Sequence, residues 1–368
     1  MGPKMKEMKR FGKIAIWSLC FATLTLSCTK VEQSGAAPQI SYNVVQCTQT
    51  KAAGEYPTTV PFVSSAFYLE NGKTWAANRS EAKPYIENAV ISFDGANWSD
   101  AAHSYYWPLA GKLTFFSYSP QAIQAFTQID RNSGITITDW DVNERQDVDI
   151  MIADVQTEQT ANQTGGTYTS VPTIFRHALS KISGFTFNLH KDYANGHSSG
   201  SYANGDVVFI LNSIVINNMP QKGTYSNTIP SESNIGAWNK AADGVYDYTW
   251  YRNDGDGITI PYSTLDPTDI SANGLSKNEL YLLPQLYPAD GGPSLEIKYT
   301  KRTYGEKNYT DTQVTASVSF YDLFASTGHR LVINRNLKFN IVFNIDANLI
   351  TWAPGQQDWD GGDFKIDF

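Results

Sequence analysis

The chain has 368 residues, 41% hydrophobic and 17% charged, with a formal net charge of −8. This profile excludes a disordered or collagen-like chain, and the acidic balance excludes nucleic acid as a partner, since phosphate binding needs a basic face. At roughly 150 residues per domain the length predicts about two domains, and an aromatic content of 13% beside so few charges predicts β-structure.

Lys4, Lys6, Lys9, Arg10 and Lys13 form a basic start, followed by an apolar stretch from Ile14 to Leu26 that is too short to span a bilayer. It runs through Leu24-Thr25-Leu26-Ser27 into Cys28, which resembles a bacterial lipobox with Thr25 where a leucine is usual. The expectation is a lipoprotein signal peptide over residues 1–27, acylation of Cys28 and a lipidated tether over 28–36. Losing five basic residues and one acidic residue with the leader takes the net charge from −8 to −12. Cys47 is then the one unmodified thiol, so no intrachain disulfide is expected and core burial must hold the fold. No later stretch approaches about 18 apolar residues, so no membrane-spanning helix is predicted.

Past residue 36 the chain reads as strand, turn, strand. Ile40–Gln46 alternates in part and opens the series. Pro61–Leu69, Ala89–Phe93, Lys112–Tyr118, Gly134–Thr138 and Val148–Ala153 follow as apolar or β-branched runs between turn residues. Gln156–Thr167 is polar, lacks an apolar anchor and contains Gly165-Gly166, so it marks a boundary between predicted domains at 37–158 and 166–368. The second half continues with Ser183–Leu189, Val207–Ile216, Gly257–Tyr262, Glu279–Leu283, Ser294–Thr300, Gln313–Phe320, Asn336–Ile345 and Phe364–Phe368. Lys191–Asp206, equally polar, reads as a surface loop of the second domain. Gln121–Phe126, Arg176–Lys181 and Tyr321–Ser326 are each predicted to form one or two helical turns. Strands at this spacing predict an all-β fold of two β-sandwich domains. In the tail, Phe364, Ile366 and Phe368 recur at period two after Gly361-Gly362 and read as a closing strand.

Chemistry-bearing patterns are sparse. Gly196-His197-Ser198-Ser199-Gly200 matches G-x-S-x-G, but its flanks are a polar loop instead of the strand and helix that a nucleophile elbow needs. Asn253-Asp254-Gly255-Asp256-Gly257 resembles part of a calcium loop without its later Glu, and reads as a hairpin turn, as does Asp358–Asp363. The five histidines show no metal-binding spacing, and His177, between Phe175-Arg176 and Ala178-Leu179, reads as a packed structural histidine. There is no phosphate loop, C-x-x-C pair or dinucleotide fingerprint. No catalytic or metal residue and no cofactor is assigned, and the expected role is binding or structural, not enzymatic. Trp98, Tyr105, Tyr106, Trp107, Trp238, Tyr246, Tyr248, Trp250, Tyr251, Trp352 and Trp359 are candidates for stacking on sugars, although most such residues in sandwiches are core.

Several stretches, taken in order, carry a resemblance. These are the lipobox at Cys28, the opening strand near Ile40–Gln49 followed by Thr50-Lys51-Ala52, Tyr106-Trp107-Pro108 and Leu113–Pro120. Asp149-Ile150-Met151-Ile152-Ala153, Phe175–Ile182, Leu283-Pro284-Gln285 and Ile350-Thr351-Trp352 complete the series. Together they resemble the fimbrillin family of Bacteroidales surface lipoproteins over nearly the whole mature chain.

The resemblance implies a pair of transthyretin-like β-sandwiches, a structural or adhesive role in surface fimbriae, and export to the outer membrane as a lipid-anchored precursor. It implies other fimbrial subunits as partners, joined by β-strand exchange. The exchanged element would be the first strand, carrying Ile40, Tyr42, Val44 and Val45, released by a protease that cuts after a basic residue close behind it. Lys51 occupies that loop, and the first arginine beyond Cys28 is Arg79. Processing at Lys51, processing at Arg79, and retention of the strand in a tip, anchor or accessory subunit are the three readings. A competing reading is a surface glycan-binding lipoprotein of a nutrient-uptake system, with a host or glycan ligand.

Overall fold

The computed structural model describes residues 37–47, 53–161, 163–164, 167–168, 170–189, 202–227, 236–241, 244–253, 255–260, 268–269, 279–343, 350–358 and 363–364. The architecture is predominantly β, and Gln39–Phe368 forms one compact unit. Its strands enclose three clusters of buried apolar side chains.

The first half closes a sheet on itself. Phe62–Leu69 lies between Lys83–Phe93 and Lys112–Ser119, antiparallel to both. Lys83–Phe93 turns back into Trp98–Asp100, which meets the opening strand Tyr42–Cys47. The opening strand runs parallel to Val171–His177. That strand pairs with Met151–Ala153, and Met151–Ala153 returns to Lys112–Ser119 to complete the ring. Phe62 and Ala66 face the core inside, whereas Val63, Phe67 and Leu69 face a second core outside. Lys112–Ser119 divides likewise, with Leu113 and Phe115 inside and Phe116 and Tyr118 outside. Cover on both faces explains why these two strands read as continuous apolar runs. The buried Ser117 hydroxyl donates to Ser64 Oγ across them at 2.9 Å, so neither polar group is stranded.

The outer core is roofed by a four-stranded sheet made from both halves of the chain. Thr127–Asp130 and Gly134–Asp141 pair with each other, and the latter pairs with Lys222–Ser226, which continues to Ala237–Lys240. Trp140, Tyr225 and Trp238 fill this layer, together with Ala178, Leu179, Leu283 and Ile333. The Trp238 indole N–H donates to the Ala178 carbonyl at 2.7 Å.

The third core lies between two sheets of the second half. In one, Ser180–Leu189 runs parallel to Arg335–Phe343, which pairs antiparallel with Ile350–Asp358. In the other, Val207–Pro220 is flanked by Val245–Arg252 and Ser294–Tyr304, and Tyr309–Ser319 forms the edge. Phe185 stacks on Phe339 and Phe209 on Phe343, each at 5.1 Å between ring centres.

Most predicted strands appear within a few residues of their expected limits, with differences at informative places. Gln121–Phe126 forms a short 3-10 helix, and the predicted turns near Tyr321–Ser326 appear as an α-helical turn at Phe320–Leu323 and a 3-10 turn at Ala325–Thr327. Arg176–Lys181 is not helical. Val171, Thr173, Phe175 and His177 are buried at period two, so the residues up to His177 finish a strand, and another begins at Ser180. Gln156–Gln159, predicted as linker, pairs with Lys112–Ser119 across a bulge.

Candidate functional site

The opening strand has two unlike edges. Along one it makes a five-pair parallel ladder, from Tyr42 opposite Val171 to Gln46 opposite Phe175. Along the other it meets Trp98 at Tyr42 alone, and Ala53–Gly54 at Gln46 and Cys47. From Asn43 to Val45 that second edge has no ladder partner among the described residues. A cleft of about 520 Å³ lies beside it, lined by Asn43, Val44, Asn97, Trp98 and Pro172 among others.

Alternation decides what the strand buries. Ile40 and Tyr42 are buried, Val44 packs against the inner core and Gln46 is buried, whereas Asn43 is exposed. The Tyr42 ring meets Phe62 at 5.5 Å and Phe115 at 6.1 Å between centres, both edge-on. Phe175 and Trp98 extend this seat, and Tyr56 stacks on Phe175 at 4.8 Å. Burial raises the Tyr42 phenol above its ordinary range, and it pushes the Tyr56 phenol up to about 12 against a 2.6 Å hydrogen bond with Ser119. The start of the strand is tied down by Ile40 N–H donating to the Tyr105 carbonyl and Val171 N–H donating to the Ser41 carbonyl, each at 2.8 Å.

At the far end of the strand the buried contact is polar. Gln46 Nε2 lies 2.8 Å from His177 Nε2, and His177 Nδ1 lies 2.9 Å from Asp149 Oδ1. A carboxylate can only accept, so Nδ1 carries a proton, and Nε2 meets the Gln46 amide. The histidine predicted to be structural is packed, and it also bonds directly to the first strand.

Ile40, Tyr42 and Val44 therefore converge on one seat, whereas Val45 lies on the alternate face and is half-buried. Arg79 is exposed in a 3-10 turn after Phe62–Leu69, in the middle of the ring's sequence. Cys28, Lys51 and the Gly196–Gly200 pattern lie outside the described residues. Of the proposed sugar-stacking residues, Trp98, Trp107, Trp238, Tyr248, Trp250 and Tyr251 are buried, and Tyr106 and Tyr246 are exposed. The Trp352 and Trp359 side chains are outside the described set. No cluster of metal-ligating side chains occurs among the described residues. None of their helices is long and apolar enough to cross a membrane. Gln46 was not singled out in the sequence, although its place in the alternation of Ile40, Tyr42 and Val44 marks it as inward-facing.

Comparison with known proteins accords with this architecture. The model of the fimbrillin-like family matches residues 65–352. Among solved structures, a fimbrial protein from Bacteroides vulgatus aligns with a TM-score of 0.55 at 15% identity, covering 87% of this chain and 99% of that one. At this identity the likeness shows the fold. The fimbrial anchor protein Mfa2 from Porphyromonas gingivalis aligns with a TM-score of 0.33 at 10% identity, covering 87% of this chain and 97% of that one. The tip fimbrial protein Mfa3 from the same organism gives 0.39 at 10% identity, covering 88% and 100%. No curated protein sequence matches significantly. A family match across most of the chain, on a closed ring of strands, shows that the chain belongs to the fimbrillin-like family.

Proposed function

We propose that the protein is a fimbrial subunit, exported as a lipoprotein precursor acylated at Cys28. On this reading it assembles on the outer membrane by exchanging its Tyr42–Cys47 strand for a strand of another subunit. The observation that carries the reading is the uneven pairing of that strand, laddered along one edge and open from Asn43 to Val45 along the other. Burial of Ile40, Tyr42 and Val44 at about 1.5–3 kcal/mol each, the last only in part, stabilises the seated strand by several kcal/mol. A strand from a neighbour would recover the same burial and main-chain bonds. The contact is head-to-tail, so it propagates instead of closing a dimer.

Processing belongs at Lys51. A cut there releases the opening strand, whereas a cut at Arg79 would also free Phe62–Leu69, whose loss would empty both cores of the first half. We read the inner and third cores as two transthyretin-like sandwiches. The pairing of Val171–His177 with the first ring supports a seam after that strand, later than the 158–166 boundary expected from the sequence. Two measurements test the proposal. The N-terminal residue of protein recovered from cell surfaces should be the one after Lys51 in assembled material and Cys28 in the precursor. Purified protein cut by a trypsin-like protease at Lys51 should form SDS-resistant ladders, and a cleanly cut protein that stays monomeric would refute assembly by exchange.

A further inference from the structure

Leu109 is 90% exposed on a loop that is fixed at both ends. Before it, Trp107 is buried with its ring 5.8 Å from that of Phe115; after it, the Gly111 N–H donates to Asn71 Oδ1 at 2.9 Å. Tyr106, 47% exposed, is braced by the Tyr85 hydroxyl, which donates to its carbonyl at 2.6 Å. The Tyr85 ring lies 6.4 Å from that of Tyr68, against which Gly111 packs closely. Residues 106–110 carry no charge. A single exposed leucine is ordinary. A leucine held outward beside exposed tyrosines has the composition of an interfacial membrane contact, with phenols among the headgroups and the aliphatic chain at the acyl boundary.

The entry of the chain into the fold argues for which surface covers this patch. Gln39 forms an antiparallel bridge with Tyr106, and Ile40 N–H donates to the Tyr105 carbonyl. The chain therefore enters the ring at this loop. Cys28 lies eleven residues before Gln39, at most about 40 Å away along a fully extended chain. Acyl chains on Cys28 would hold a bilayer within that reach. A patch too small to bind lipid by itself suffices once tethered, because the contact is then intramolecular.

We propose that Tyr85, Tyr106 and Leu109 dock on the surface of the bilayer that carries the acylated Cys28. Docking seats the ring with the start of its opening strand toward the membrane. It rests on the acylation reading, not on strand exchange.

The test is hydroxyl-radical footprinting of the precursor, purified from membranes and reconstituted at low density in phosphatidylethanolamine–phosphatidylglycerol vesicles. Tyr246, 42% exposed in the second half, is the internal reference, since the same residue type at nearly the same exposure reacts at a similar rate. Tyr106 should be labelled about fivefold more slowly than Tyr246, as its exposure falls to that of a buried residue. Leu109→Ser, at a side chain with almost no packing to lose, should bring Tyr106 back to within about twofold of Tyr246. Equal labelling in the unaltered protein overturns the docking, and so does protection that survives Leu109→Ser. Protection that appears only at high protein density assigns the patch to a second copy and overturns it too. The mass of the N-terminal peptide is read on the same sample. Cys28 without acyl chains refutes the acylation reading and the docking with it, whereas acylated Cys28 beside an unprotected Tyr106 refutes the docking alone.

Discussion

Tyr42→Ala is the most direct probe of the seat. The ring is 5% exposed and meets Phe62 and Phe115 edge-on at 5.5 and 6.1 Å. Truncating a buried aromatic residue costs about 3–5 kcal/mol, in which two edge contacts account for about 0.5–1.5 kcal/mol each. Relief from burying the phenol oxygen offsets part of this, so about 3 kcal/mol is expected, a factor of roughly 100 in an equilibrium constant. Hydrogen exchange followed by mass spectrometry separates local from global loss. Residues 40–47 should exchange about 100-fold faster, while Val207–Ile216 in the third core stays protected. Asn43→Ala, on the exposed face of the same strand, should stay within about 0.5 kcal/mol of the parent. If the two variants exchange alike, the inward alternation and the seat built on it are refuted.

Two further outcomes are expected. Burial raises the Tyr42, Tyr118, Tyr225, Tyr248 and Tyr287 phenols and brings Tyr56 to about 12. These groups keep their protons in the folded chain where the unfolded chain loses them near pH 10. Their stabilisation is therefore complete below pH 10 and lost as pH rises toward 12 and beyond; a urea midpoint that stays flat from pH 9 to 11 would contradict it. Gly111 has a φ of +86°, and an added Cβ would lie 2.3 Å from the Tyr68 ring, whereas at Gly291, φ +66°, it would meet nothing within 4 Å. Gly111→Ala should cost more than about 2 kcal/mol and Gly291→Ala about 1 kcal/mol in urea unfolding, and equal costs would refute the contact.

Where apolar residues run or alternate, the elements were legible. Phe62–Leu69 and Lys112–Ser119 stand out because both faces are covered, and Ile40, Tyr42 and Val44 because one face is. Val45 joined them by being apolar, although parity puts it on the other face. Two of the strands that were missed lack such a mark. Gln156–Gln159 has no apolar residue and becomes a strand because the edge of Lys112–Ser119 offers it backbone partners. In Val171–His177 the alternation is blurred, because its inward members include a threonine and a histidine while the outward Ile174 is apolar. The Gln46–His177 contact joins residues 131 apart, and nothing local to either announces the other. The roof sheet was illegible for the same reason, since Gly134–Asp141 finds its partner in Lys222–Ser226.

That shared sheet has a mechanical consequence. Lys222, Gly223, Tyr225 and Ser226 are laddered to Asp141, Trp140, Ile137 and Thr136, and Trp238 is bonded to Ala178 over the same core. On the proposed strand-exchange reading, tension between the opening strand and the second half would be borne by a stitched layer and its indole bond as well as by the covalent path. A freely hinged tether would let the halves swivel under drag, whereas this construction makes them respond as one stiff link, so the compliance of a fibre built from such links would reside at the joints between neighbours.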